Sequence, residues 1–364
     1  MRFHQVLLTV AVGAVALSSC SDSEPRQLPL TIGFCESLAP RKSPDKQYVS
    51  DFRTQLDAYL SGKGSLCDAD SIPMLLTLAA QERTPDENVL EMLRELREAG
   101  ADMRAVDARG SSALLLAAYG GFRQTMDYLR GEGLSLQATN SAGCTALMMA
   151  AQGGQLELLQ ELQEDGLSIT ARDSTGNTPL IYAAFGGSIP CISYLLEQGE
   201  SLHSVNQGGL NCLIASAYSG DVECCRFFIE RGLSAQTCAY DGVSALMYAA
   251  WGGHADCFRY LVEQGANPAA VDTNGNTVVH YAAFGGQAEF LQALAHSGMP
   301  TDEPNLKGQT PLIIAATEGH ADCVKLLLER GAIRTRKDSD GKTALYYAET
   351  ANHADCADLL RSRR

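Results

Sequence analysis

This sequence is poor in tryptophan, poor in basic residues and poor in long apolar runs. Its 364 residues hold one tryptophan, and 28 lysines and arginines stand against 43 aspartates and glutamates, a formal net charge of −15. An acidic surface repels phosphate backbones, so nucleic acid is not an expected partner. It equally disfavours docking on anionic lipid through charge. After the first twenty residues no apolar run is long enough to span a bilayer. Catalytic signatures are missing too: the sequence has no phosphate-binding glycine loop, no H-E-x-x-H, no G-x-S-x-G and no C-x-x-C. Asp338-Ser339-Asp340-Gly341 and Asp272-Thr273-Asn274-Gly275 look like fragments of a calcium loop, but the closing glutamate is absent. No catalytic residue, metal or cofactor is expected, and the chain is not expected to be an enzyme.

What is present begins at the N-terminus. Arg2 precedes an apolar run from Val6 to Leu17, a length that suits a signal-peptide core rather than a membrane span. The run ends in Leu17-Ser18-Ser19-Cys20, which resembles the lipobox of bacterial lipoproteins. The resemblance implies a signal peptide over residues 1–19 and a lipid on the thiol of Cys20. An ordinary secretory signal cut near Ala16 or Ser19 is the alternative. Residues 20–45 then read as a tether, polar and proline-containing at Ser21 to Pro29. Ser21 follows the cysteine where the family's inner-membrane members carry Asp. The implied location is the bacterial envelope, facing the periplasm, with the outer membrane slightly favoured.

The rest of the chain repeats itself. Gly110, Gly143, Gly176, Gly209, Gly242, Gly275, Gly308 and Gly341 are each 33 residues apart. Two further registers keep that spacing, one from Leu129 to Leu360 and one from Gly100 to Gly331. Such a period is the mark of a stacked-repeat architecture. Each unit has a local logic. Asp or Asn opens a turn, as in Asp173-Ser174-Thr175-Gly176, and glycine supplies the positive φ. Thr178, Thr277 and Thr310 are expected N-caps, and Pro179 and Pro311 expected first helical residues. A short helix carries Leu180 and Ala183-Ala184 on its buried side, a glycine ends it, and a second helix with a Leu-Leu pair follows.

The assembled pattern, T-P-L-x-x-A-A-x-x-G…L-L-x-x-G, resembles the ankyrin repeat, most closely at TPLIYAAFGG (178–187) and TPLIIAATEGH (310–320). The fold this implies is an all-α ankyrin-repeat solenoid of helix-turn-helix units with β-hairpin-like connecting turns. Eight repeats cover residues 101–364, the last a C-terminal cap that departs from the pattern at Glu349 and Asn352. Residues 46–100 read as an N-terminal helical segment, around Gln47 to Leu60, followed by a degenerate capping repeat that starts at Ile72-Pro73. One departure puts the family's inter-repeat hydrogen bonds in doubt. The histidine usual after T-P-L is present only as His280.

Most chemistry-bearing side chains fall on repeat positions. His254, His320 and His353 share one, so a structural role is expected rather than a metal site. Glu157, Glu161, Glu164 and Asp165 read as a solvated outer face. Cys191, Cys224, Cys257, Cys323 and Cys356 share another position. Equivalent sites in stacked repeats lie on the order of 10 Å apart, beyond disulfide reach, so these are expected to be small buried hydrophobes. Cys35 and Cys67 lie outside the repeats and are open to pairing. So are Cys212 and Cys238, at irregular spots in adjacent repeats, while Cys144 and Cys225 have no obvious partner.

Tyr119, Phe185, Tyr218, Trp251 and Phe284 share the position two residues before the glycine that ends the first helix. Each is followed by Gly or Ser. The resemblance places this position on the concave groove, where ankyrin partners bind. Aromatic anchors beside small neighbours suit a guest peptide or helix, or else the rings lean on the glycines and stack on one another. The hairpin tips, including Ser141, Ala142, Ser174, Thr175, Gln207, Gly208, Tyr240 and Val243, are mostly small or neutral and suggest no strongly charged ligand. The expected function is a monomeric protein-binding scaffold, touching membrane only through its N-terminal lipid and engaging an unidentified protein or peptide. The alternative is a dedicated inhibitor, regulator or protective partner of one periplasmic enzyme, with an immunity-like or oxidative-stress role. One stoichiometric enzyme partner on co-purification would favour the latter.

Overall fold

The computed structural model describes residues 71–82, 84–98 and 100–362. The expected signal peptide, Cys20, the tether, the helix around residues 47–60 and the pair Cys35 and Cys67 lie outside them. The described residues fall in two compact units, divided between Gln207 and Gly208.

In the first unit, helices come in antiparallel pairs: Ser71–Glu82 with Asp86–Glu98, Ala113–Gly120 with Arg123–Gly131, Ala146–Gly153 with Leu156–Glu164, and Pro179–Gly186 with Ile189–Glu197. The first helices of successive pairs pack on one another, and the second helices do the same. The pair before Gly100 takes a repeat's place in this stack. Asp86 also accepts hydrogen bonds from the Gln124 amide (2.6 Å) and the Thr125 hydroxyl (2.7 Å), capping the next repeat's second helix.

The second unit continues the same plan. Its pairs are Cys212–Ser219 with Val222–Glu230, Ala245–Gly252 with Ala255–Glu263, Val278–Phe284 with Ala288–His296, Pro311–Glu318 with Ala321–Glu329, and Ala344–Thr350 with Ala354–Arg361. The two helix types differ in pattern. The first helices, the last excepted, are largely apolar and covered over most of their surface, as ALMYAAWG shows with Ala245 to Ala250 buried. The second helices are amphipathic: Cys257, Tyr260 and Leu261 point inward while Asp256, Arg259 and Glu263 face solvent. Glu161 and Asp165 lie on such an outer face in the first unit and pair with Arg123 and Arg130 of the preceding repeat.

Most local signals are realised as the sequence implies, although Thr178 stands at the N-cap position without a side-chain cap hydrogen bond. Pro179 and Pro311 open their helices, and the hydroxyl of Thr310 accepts from the Ile313 amide. Asn352 is the instructive exception. It stands where the other repeats place glycine, and it adopts φ 59°. Asn tolerates the left-handed region better than other side chains do, so the departure in the last repeat preserves the turn.

The repeats do have systematic hydrogen bonds to one another, and these do not need the histidine after T-P-L. At each hairpin tip an amide donates to the carbonyl of the preceding tip: Ser141 to Arg109, Ser174 to Ala142 and Gln207 to Thr175 in the first unit. In the second unit the donors are Tyr240, Thr273, Leu306 and Ser339, to Gly208, Asp241, Asn274 and Lys307. These bonds need only backbone, so the missing histidines cost nothing there. Isolated antiparallel bridges such as Val106 with Ser112 and Cys238 with Ser244 give the turns their hairpin character.

Candidate protein-binding face

The aromatics stand at the end of their first helices, directly after paired alanines except at Tyr218, which follows Ser216-Ala217. Ala249 and Ala250 are fully buried, which brings neighbouring first helices close and sets the spacing of the aromatics that follow. The next repeat then fixes the backbone at several of these positions. The imidazole Nε2 of His254 lies 2.9 Å from the carbonyl oxygen of Tyr218, and that of His320 lies 2.9 Å from the carbonyl of Phe284. His353 makes the same contact to Thr317 at 3.1 Å. In the first unit Gln155 substitutes, its Nε2 donating to the Tyr119 carbonyl at 3.3 Å. The shared histidine position is therefore a backbone tie, as its repeat register implies.

The glycines beside the aromatics have a different job from the one their size suggests. A Cβ on Gly186 would sit 1.9 Å from the carbonyl oxygen of Gln152, and one on Gly285 would sit 2.0 Å from that of Trp251. At these two glycines the space is filled by the preceding repeat's backbone, and at Gly120 and Gly252 by the rings of Phe122 and His254, not kept open for a guest. A small residue is needed there for helix-to-helix approach.

The rings themselves divide by exposure. In the second unit Tyr218 and Trp251 have centroids 5.7 Å apart, and Trp251 and Phe284 5.1 Å apart, all edge-to-face. Tyr248 packs behind them, 6.2 Å from Trp251. These are favourable ring geometries in their own right. Tyr218 is only 5% exposed, while Trp251 and Phe284 remain half-buried with accessible edges. In the first unit Phe185 is 4% exposed, and Tyr119 is half-buried. The five-residue stripe read from the sequence is thus reduced: Phe185 and Tyr218 are core residues, and Tyr119, Trp251 and Phe284 present surface.

The hairpin tips also sort themselves. Val243 and Ala142 turn inward, whereas Tyr240 is 72% and Leu306 79% exposed. Leu306 was the tip residue to notice, since it stands two periods after Tyr240.

A family model described as "Ankyrin repeats (3 copies)" matches residues 76–173, 168–239, 198–272, 233–305 and 280–364. The chain belongs to the ankyrin-repeat family. This ankyrin-repeat chain is similar in structure to the human ASB11 ankyrin repeat domain, with 25% identity and a TM-score of 0.47 over 61% of this chain and 100% of that one. No curated protein matches it in sequence. Ankyrin repeats are as a rule protein-binding scaffolds rather than enzymes.

Among the described residues no disulfide bond joins the cysteines of this ankyrin array. Cys191, Cys224, Cys257, Cys323 and Cys356 are all buried in the second helices. Burial pushes the Cys323 thiol up to about 12 and that of Cys356 to about 11, so they stay protonated and unreactive. A Cys212–Cys238 disulfide is not formed. Cys212 is buried in the first turn of its helix, whereas Cys238 is exposed on the hairpin. His280 makes the family's inter-repeat contact, with Nε2 3.2 Å from the Gln309 carbonyl and Nδ1 2.9 Å from the Thr277 hydroxyl. A contact not legible in the repeat pattern joins hairpin to helix: the hydroxyls of Tyr182 and Tyr281 each donate to a carboxylate nine residues earlier, Asp173 and Asp272, at 2.8 Å.

Proposed function

We propose that this chain is a protein-binding scaffold whose contact surface in the second unit is centred on Trp251 and Phe284. The observation that carries the reading is the exposure of these two rings. They are held at 5.1 Å from each other, and the Phe284 carbonyl is tied by His320, yet both keep edges open to solvent. An aromatic pair already ordered before binding loses little conformational freedom when a partner covers it. An apolar segment of a protein, extended or helical, is the matching ligand. The acidic composition favours a neutral or basic one.

Trp251 is the sole tryptophan, so its emission reports on this site alone. A photo-crosslinking residue at position 284 is expected to capture a partner, and adding that partner should shift the Trp251 emission. The same residue at Glu157, on the outer face, should capture nothing. Equal capture from both positions, or capture with unchanged emission, overturns the reading.

The proposal includes attachment to the bacterial envelope through Cys20, supported by the likeness of Leu17-Ser18-Ser19-Cys20 to a lipobox. Labelling with a lipid precursor should mark the wild type and not Cys20→Ala; an unlabelled wild type removes the anchor.

A further inference from the structure

We propose that Cys225 and Cys257 are a disulfide-forming pair that covalently joins the fourth and fifth repeats. Their Sγ atoms lie 4.0 Å apart, against about 2 Å in a disulfide bond. They sit on consecutive second helices, Val222–Glu230 and Ala255–Glu263. The pairing follows from the register. Residues 33 apart occupy equivalent places, but a residue one step further along a helix is turned by about 100°. That turn aims position 225 at position 257, an offset of 32. The same offset one repeat later joins Phe258 and Phe290, whose rings are 5.1 Å apart. At the corresponding pairs Leu291 with Cys323 and Val324 with Cys356, one partner is aliphatic. Only at 225 and 257 does the pattern bring two thiols together.

Both side chains are fully buried, and the contact with Cys257, together with burial, raises the Cys225 thiol well above its ordinary value. The folded pair is closed to reagents by this burial, so the bond is made before these repeats dock, during folding. The oxidant is a disulfide, either a small molecule or a disulfide-donor protein. One cysteine thiolate attacks the donor's S–S bond and expels one donor thiol, leaving a mixed disulfide. The second cysteine thiolate attacks the protein-side sulfur and expels the other donor thiol. The two cysteine sulfurs are oxidised, the donor is reduced, and the two protons leave on the donor thiols. A repeat array opens at the junctions between neighbours, so this bond would hold the junction that carries Tyr218 and Trp251.

The test is to unfold the full-length chain in urea with reductant and refold it in a mixture of reduced and oxidised glutathione. Alkylation, digestion and mass spectrometry then read the cross-links. The expected product is a peptide pair joined at Cys225 and Cys257, two hydrogens lighter than the reduced pair. It should persist in Cys224→Ala and vanish in Cys225→Ala. Three results overturn the proposal: both cysteines alkylated after refolding to the helix content of the reduced protein, a link through Cys224 instead, or glutathione retained on either residue. The wild-type peptide map decides the matter even if a variant fails to fold.

Discussion

His254 reaches back thirty-six residues to hold the carbonyl of Tyr218 at 2.9 Å, so a side chain at the start of one repeat's second helix fixes the backbone at the end of the previous repeat's first. Tyr218 in turn packs edge-to-face on Trp251. The tie thus sits directly beneath the aromatic surface. Replacing His254 by Ala removes a partner from a carbonyl in a half-buried place and is expected to cost about 1–2 kcal/mol. His254→Gln should recover most of that, because Gln155 already makes the equivalent bond to Tyr119 in the first unit. Urea denaturation measures both variants. Equal loss for Ala and Gln would show that the ring's packing matters and its hydrogen bond does not.

Acid sensitivity should come from His280. Burial lowers its pKa from 6.5 to about 4, against the hydrogen bond to Gln309 that raises it. Between those values the unfolded chain binds a proton that the folded chain refuses. Stability from this group is therefore present in full above about pH 6.5 and is lost as pH falls toward 4. A shift of this size corresponds to roughly 3 kcal/mol at most. The difference in unfolding free energy between pH 7 and pH 4.5 should shrink in His280→Gln. An unchanged pH slope would assign the acid sensitivity to other groups.

Glycines of the same chain should respond oppositely to the same change. Gly186→Ala drives a methyl group to 1.9 Å from the Gln152 carbonyl, a backbone atom that cannot step aside. A loss of about 3 kcal/mol or more is expected, at or beyond the upper end of overpacking costs. Gly131→Ala meets nothing within 4 Å in a helix, and it should stabilise by up to about 1 kcal/mol. Thermal unfolding of the two variants, compared with wild type, separates steric need from mere helix termination. A neutral Gly186→Ala would mean that the first helices can spread apart.

Much of this was legible in the sequence because it is local. Pro179 and Pro311 open helices, and Gly176 and its equivalents turn the chain, all from the conformational limits of single residues. The candidate site was legible only in outline. The period located Tyr119, Trp251 and Phe284, and the same reasoning enrolled Phe185 and Tyr218, which the structure buries. It also left Gly186 and Gly285 open as room for a guest or as a seat for the rings, where a neighbouring carbonyl fills the space.

The sequence by itself determined the 33-residue period, the helix pairs, the turns and the alternation of covered first helices with amphipathic second ones. Each is dictated along the chain, by spacing and by the conformational preference of individual residues. Tertiary structure alone decided which side chains meet across a junction. Equivalent residues align at 33, but the rotation of one helix against the next selects contacts at 32, as for Cys225 with Cys257, and at 36, as for His254 with Tyr218. A linear period carries no information about that rotation, which is settled only when the alanine pairs and glycines of neighbouring helices come into contact.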